Sequence, residues 1–282
     1  MSDGAAELIK KAKELPVMPP VAAEVMKKAE DPDTNLPSLT ALISRDAALV
    51  VRVLKIANSS FYSMPRKITT VQQAIVLLGY STLRSVVVAA AIKDVFARFG
   101  LAERLLWEHA VAAGVAASLV AQQVGGIARD EAMVGGLLHD IGKLLMYAEA
   151  ESMYQEVMRG VYADGSDPIT AEQEIFGFDH TEVGQLLLAK WKIPERLVIA
   201  VGAHHNPEAA ADDPEGAKAM AALLQVADRV CLHEGMGRRK PDPELSPLDC
   251  PGAELLGLID VDLEDLLTRF RQGYDEEREV FG

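Results

Sequence analysis

The chain is poor in cysteine and in aromatic residues: 282 residues hold 2 Cys, 2 Trp, 6 Tyr and 7 Phe. Cys231 and Cys250 have no partner motif around them, which argues against a disulfide framework and against a thiolate metal site. Uninterrupted apolar runs are short as well. The nearest approach, Ala110 to Ala121, falls below a bilayer-spanning length, and the N-terminal Asp3, Glu7, Lys10 and Lys11 stand where a signal peptide needs its apolar core. A cytoplasmic protein with no membrane partner is therefore expected. Strand-like alternation bounded by hairpin turns is also missing.

Cations are scarce, with a net charge of −14. Residues 1–100 carry 13 Lys and Arg against 9 Asp and Glu, whereas the remainder carries 15 against 33. This imbalance argues against nucleic-acid binding by the chain as a whole. It leaves Arg52, Lys55, Arg66 and Lys67, beside Asn58 and Tyr62, as the place where a nucleotide or nucleic acid would be met, with a solvated charged surface as the simpler reading.

What is present is Ala, Val and Leu at helical spacing, within an apolar share of 49%, and an all-α fold follows. The length calls for one large or two intimately packed domains. Four parts are expected: an N-terminal helical subdomain over 1–100, a metal-binding helical bundle over 101–235, a proline-rich linker over 236–252 and an acidic helical tail over 253–282. Thr70-Val-Gln-Gln73 has the form of a capping box, opening a helix that Gly79 ends. A long small-residue helix from Ala102 to Val124 carries His109, and a further helix is expected over 131–148.

That last helix contains Gly136-Leu-Leu-His-Asp-Ile-Gly-Lys143, where His139 and Asp140 interrupt an apolar stripe. Burying an imidazole beside a carboxylate is costly unless both are hydrogen-bonded, paired or bound to metal. Five of the six histidines, His109, His139, His180, His204 and His205, lie on or beside apolar helices. Asp228 shares a helix face with Leu224 and Cys231, so its carboxylate is expected to point inward. Gathered together, neutral imidazoles and two carboxylates would be satisfied by one or two divalent transition ions. Iron or manganese come ahead of zinc or nickel, and calcium and magnesium are disfavoured. Each residue also has a plainer reading. His109 can be a satisfied core histidine, His180 a helix cap, and His204-His205 a helix C-terminus; Asp228 can pair with Arg84, Lys143 or Arg229, and Lys143 with Asp140. His233 reads as a surface residue.

His109, His139-Asp140 and Asp228 stand in the order of the HD superfamily of metal-dependent phosphohydrolases, and residues 15 to about 232 resemble an HDOD domain. The resemblance rests on Leu15-Pro-Val-Met-Pro19, Leu54-Lys-Ile-Ala-Asn-Ser59, Ile68-Thr-Thr-Val-Gln-Gln-Ala-Ile75, the 136–143 motif, His180-Thr-Glu-Val-Gly184 and His204-His205. It implies an N-terminal helical layer packed on an HD-type bundle, and a bacterial signalling module with a regulatory protein partner. His109, His139, Asp140, His180, His204, His205 and Asp228 match the di-metal set of the related HD-GYP phosphodiesterases, and Lys143 matches their phosphate-contacting lysine. That match implies a phosphohydrolase acting on a nucleotide or other phosphoester as the alternative function. The Asn-Pro-Glu-Ala-Ala that follows His205 lacks the Gly-Tyr-Pro loop of that group, so hydrolysis of cyclic-di-GMP is not implied.

Overall fold

Small residues at helical spacing let helix axes approach closely, and the chain uses them to build one helical core from two layers. The computed structural model describes residues 2–12, 20–29, 34–59, 62, 66–96, 101–161, 167–210, 216–237 and 240–281. Among the described residues every element is a helix. The Leu15-to-Pro19 motif lies outside them.

Helix α1 (Asp3–Lys11) is capped by Ser2 and packs on the second layer. Helices α2 (Pro20–Ala29), α3 (Leu36–Ile43) and α4 (Ala47–Ala57) surround α5 (Val71–Phe96). The expected cap is present: Thr70 Oγ1 accepts from Gln73 N at 3.1 Å, while Gln73 Oε1 accepts from Thr69 N at 2.8 Å. Gly79, at φ 82°, breaks α5 where the sequence places the end of a helix. Beyond it, Val86 to Ala91 are buried on all sides at the junction with the second layer. Asn58, although exposed, acts as a structural clamp. Its amide donates to the carbonyls of Leu54 at 2.7 Å and Ile68 at 2.8 Å, and its Oδ1 accepts from Ile68 N at 2.7 Å.

The second layer is organised around α6 (Leu101–Val124), which packs against α7 (Arg129–Leu138), α13 (Ala217–Glu234) and α15 (Leu263–Phe281). The stretch Arg104–Val124 is long and apolar enough to cross a membrane by length and composition, but 67% of it is buried by its neighbours here. Leu266, Leu267, Phe270 and Tyr274 of α15 are buried, and Phe270 alone contributes about 1.5–3 kcal/mol of apolar burial. The short α14 (Pro251–Leu255) and the segment before it are pinned to α13. Arg229 Nη2 donates to the Ser246 carbonyl at 2.8 Å, and Gly252 N donates to Gln225 Oε1 at 2.8 Å. His233 is only 16% exposed and its Nδ1 lies 3.1 Å from the Leu245 carbonyl, so it is not the surface residue its sequence context suggests.

The helix expected over 131–148 is two helices: α7 ends at Leu138, and α8 (Ile141–Glu149) begins after a break at His139-Asp140. On an unbroken helix, neighbouring side chains point about 100° apart. The break, with Asp140 at φ −102° and ψ 13°, lets both face one point. Two glycines of the motif set the approach. A Cβ on Gly136 would collide with the Ala113 carbonyl of α6, and one on Gly142 with the His180 carbonyl. The layer is completed by α9 (Glu151–Arg159), α10 (Pro168–Phe176), α11 (His180–Lys190) and α12 (Glu195–Ala203).

Candidate metal centre

Six helices deliver the expected residues to one place. His109 comes from α6, His139 and Asp140 from the α7–α8 break, His180 from the start of α11, His204 and His205 from the end of α12, and Asp228 from α13. They form two adjoining groups, His109/His139/Asp228 and Asp140/His180/His204/His205. Within each group the prospective ligand atoms all lie within 4.8 Å of one another. Asp140 joins the groups, with Oδ2 at 3.4 Å from His139 Nε2 and Oδ1 at 3.2 Å from His180 Nε2 and 3.8 Å from His204 Nε2. Asp228 Oδ1 lies 3.1 Å from His109 Nε2 and 3.9 Å from His139 Nε2.

The outer nitrogens fix the rings. His139 Nδ1 and His204 Nδ1 each sit 2.7 Å from the carbonyl three residues back, those of Gly136 and Val201. His109 Nδ1 lies 3.2 Å from the Met236 carbonyl. His180 Nδ1 lies 2.6 Å from Glu172 Oε2, which also accepts from His180 N at 2.8 Å. Hydrogen-bond partners of this kind assign the proton to Nδ1 and aim the Nε2 lone pair inward, as in metal-binding histidines. His109 Nε2 and His139 Nε2 then face each other at 3.2 Å, and two lone pairs so placed repel unless a cation or proton lies between them. Moreover, the buried Asp140 Oδ1 and His204 Nε2 have no hydrogen-bond partner among the described residues. Four inward imidazoles, two carboxylates and two unpartnered atoms fit a divalent metal; the donor set is all nitrogen and oxygen.

Both carboxylates keep their charge despite burial. Burial works to raise Asp140, but His139 and Lys143 outweigh it and hold the carboxyl well below its ordinary value. Burial is likewise opposed at Asp228, whose carboxyl the neighbouring His109 and His139 hold well below its ordinary value. His180, flanked by Glu172, is raised to about 9 against its own burial, whereas burial and the neighbouring His180 push His205 down to about 4. Lys143 Nζ donates to Asp140 Oδ2 at 2.6 Å, the ion pair foreseen as its plainer role.

Glu172 was not legible as a site residue. It lies on α10, where Asp167-Pro168 reads as a turn but is instead an N-cap followed by proline at the first helical position. Glu172 is wholly buried and also accepts from Tyr154 O–H at 3.0 Å. An acidic residue eight positions before His180 is the only trace it leaves in the sequence.

The centre is not sealed. His109, Asp140, Lys143, His205 and Asp228 line the end of a cleft of about 310 Å³. Among the described residues, the cations in its lining are Lys143 and Arg229.

An uncharacterized protein of Treponema pallidum (strain Nichols) is 25% identical over 207 residues, which are 72% of this chain and 40% of that protein. The chain thus spans less than half the length of this curated relative. An HDOD domain protein with unknown function from Geobacter sulfurreducens is 26% identical, with a TM-score of 0.80 over 99% of this chain and 96% of the other. A Shewanella amazonensis SB2B structure named "Putative phosphohydrolase" is 28% identical, with a TM-score of 0.73 over 98% of both chains. Residues 15–207 match the family model of the HDOD domain, and the chain belongs to the HDOD family.

Proposed function

We propose that this chain is a metal-dependent phosphoester hydrolase whose centre holds two divalent ions. The observation that carries the reading is the combination of a full nitrogen and oxygen donor set with an open cleft and an amine at its floor. A structural metal site is closed by its protein ligands, whereas a catalytic one keeps an accessible position. His109, His139 and Asp228 would hold one ion, His180, His204 and His205 the other, and Asp140 would serve both through its two oxygens. When bound, such ions supply Lewis acidity toward phosphoryl oxygens and a water of lowered pKa. Lys143 Nζ, held by Asp140 at 2.6 Å, presents its remaining protons to a phosphoryl oxygen. Glu172, through His180, keeps the donor geometry fixed during turnover. In the net reaction the oxygen of water joins phosphorus and the ester oxygen leaves as an alcohol, with water supplying its proton. The Shewanella neighbour's name points the same way.

A second reading is a cytoplasmic signalling module in which metal occupancy stiffens the bundle for a regulatory protein partner. It draws on the first layer, where Val51, Val76, Leu77 and Tyr80 are exposed. One experiment separates the two. Protein purified without chelator is assayed for metal content and against a panel of phosphomonoesters, phosphodiesters and cyclic dinucleotides, beside Asp140→Ala. Turnover that disappears in the variant supports the hydrolase. Stoichiometric metal with no turnover of any ester overturns it in favour of the module.

A further inference from the structure

The cleft carries information about the ligand beyond its phosphate, because away from the metal ligands the described residues of its wall are mostly apolar. Leu105 and Leu106 of α6, Val157 and Met158 of α9, Val161 just beyond α9, and Leu245 form that wall. Tyr154, Asp167, Gln225 and Arg229 stand among them, and the protein already uses part of the hydrogen-bonding capacity of each. Gln225 donates from Nε2 to the His205 carbonyl at 2.9 Å and accepts from Gly252 N on Oε1 at 2.8 Å. Arg229 directs Nε and Nη2 at the Ser246 carbonyl. Tyr154 turns its hydroxyl to Glu172, and Asp167 accepts from Thr170 N at 2.9 Å and Thr170 Oγ1 at 3.0 Å as the cap of α10. Beyond the remaining N–H groups of Arg229 and Gln225 and the second oxygen of Asp167, polar groups of a ligand would lose water without gaining partners from the described wall, at a cost of several kcal/mol each in an apolar setting.

Resting on the phosphoester reading of the metal centre, we propose that the cleft takes a phosphomonoester whose organic part is a compact apolar or planar group, its phosphate at Lys143 and the metal ligands and its organic part against the α6 and α9 wall. A cyclic dinucleotide or a nucleoside triphosphate carries more phosphates and sugar hydroxyls than the polar groups among the described residues of this wall could receive. The volume agrees, since about 310 Å³ stands at the lower end of ligand pockets, which run from about 300 to 1,000 Å³.

The test uses the full, metal-loaded chain and non-hydrolysable probes in calorimetric titrations. The probes are phenylphosphonate, methylphosphonate, inorganic phosphate and a cyclic dinucleotide. The expected result is phenylphosphonate binding about tenfold or more tighter than methylphosphonate, with the cyclic dinucleotide weaker than both. Met158→Asp, with helix content checked by circular dichroism, should bring the phenyl-to-methyl ratio toward one, and Met158→Leu should restore it. Equal binding of the two phosphonates, or tightest binding of the cyclic dinucleotide, overturns the proposal while leaving the phosphoester site standing. Binding of no probe, inorganic phosphate included, removes the phosphoester reading itself and this proposal with it.

Discussion

Two pairs of histidines in the centre are aimed by different means. His139 and His204 each lean on the carbonyl three residues back, at the end of their own helices, with the same 2.7 Å contact. Such an anchor comes with the helix terminus, where the last carbonyls have lost their intrahelical partners. His109 and His180 instead lean on remote groups: the Met236 carbonyl, 127 residues on, and the Glu172 carboxylate of the preceding helix. Local anchors survive substitution elsewhere. A remote side-chain anchor such as Glu172 is lost when that one residue changes, and this asymmetry is testable.

The largest effect should come from the residue shared by both groups. Asp140→Ala removes the one side chain that touches His139, His180 and Lys143 together. Metal content measured by elemental analysis should fall at both positions, by more than the about 10–100-fold affinity loss typical of removing an outer-shell partner. Retention of one ion at full affinity would show that the groups are independent, and that Asp140 does not join them.

Next comes the remote anchor. Glu172→Ala leaves His180 N, His180 Nδ1 and Tyr154 O–H without their acceptor inside a fully buried pocket. The expected outcome is an affinity loss of about 10–100-fold in metal titrations. Thermal unfolding should also show a destabilisation of about 1–3 kcal/mol for each donor left unsatisfied. Glu172→Gln, which keeps an acceptor oxygen, should recover part of both. If Glu172→Ala binds metal like the unaltered chain, the remote anchor is no weaker a device than the local one and the distinction collapses.

This contrast also explains what could be seen in the sequence. The all-helical fold, the break at Gly79 and the gathering of His109, His139, Asp140, His180, His204, His205 and Asp228 follow from periodicity, caps and a family pattern carried by the same residues. Those signals are local or shared. The division at His139-Asp140 was hidden because Leu137, Leu138, Ile141, Leu144 and Leu145 continue a helical stripe through it, all of them buried on both sides of the turn. Only the collision that a side chain at Gly142 would have with the His180 carbonyl reveals why the chain must turn there. Glu172 and the Met236 carbonyl were hidden for a different reason, since a remote anchor is a product of tertiary packing and has no spacing rule.

A smaller effect tests how α11 presents His180. Asp179 caps that helix, its Oδ1 accepting from Thr181 N at 2.9 Å and Thr181 Oγ1 at 2.6 Å and its Oδ2 from Gln173 Nε2 at 2.8 Å. Asp179→Ala should cost about 0.5–2 kcal/mol in chemical denaturation, the usual range for a lost N-cap. Because the Glu172 contact persists, metal affinity should fall less than in Glu172→Ala. An equal or larger loss would mean that the cap, not the carboxylate, sets the ring.

The smallest expected effect on metal binding lies one bond further out. Tyr154 O–H reaches Glu172 Oε1 at 3.0 Å, so the ring of a cleft-lining residue is two hydrogen bonds from a prospective ligand nitrogen. Tyr154→Phe removes one neutral donor from a carboxylate that keeps both His180 contacts, which is worth about 1.5–3 kcal/mol of stability, since the acceptor is charged. The carboxylate stays in place, so metal affinity should change by less than tenfold. Because Glu172 oxygen Oε1 then stands in a buried site with one fewer donor, the change in stability should exceed the change in metal binding, the reverse of what Asp140→Ala shows. Should Tyr154→Phe instead weaken metal as much as Glu172→Ala, the anchor of His180 would extend to the cleft wall, and ligand in the cleft and metal in the centre would be coupled through one phenol.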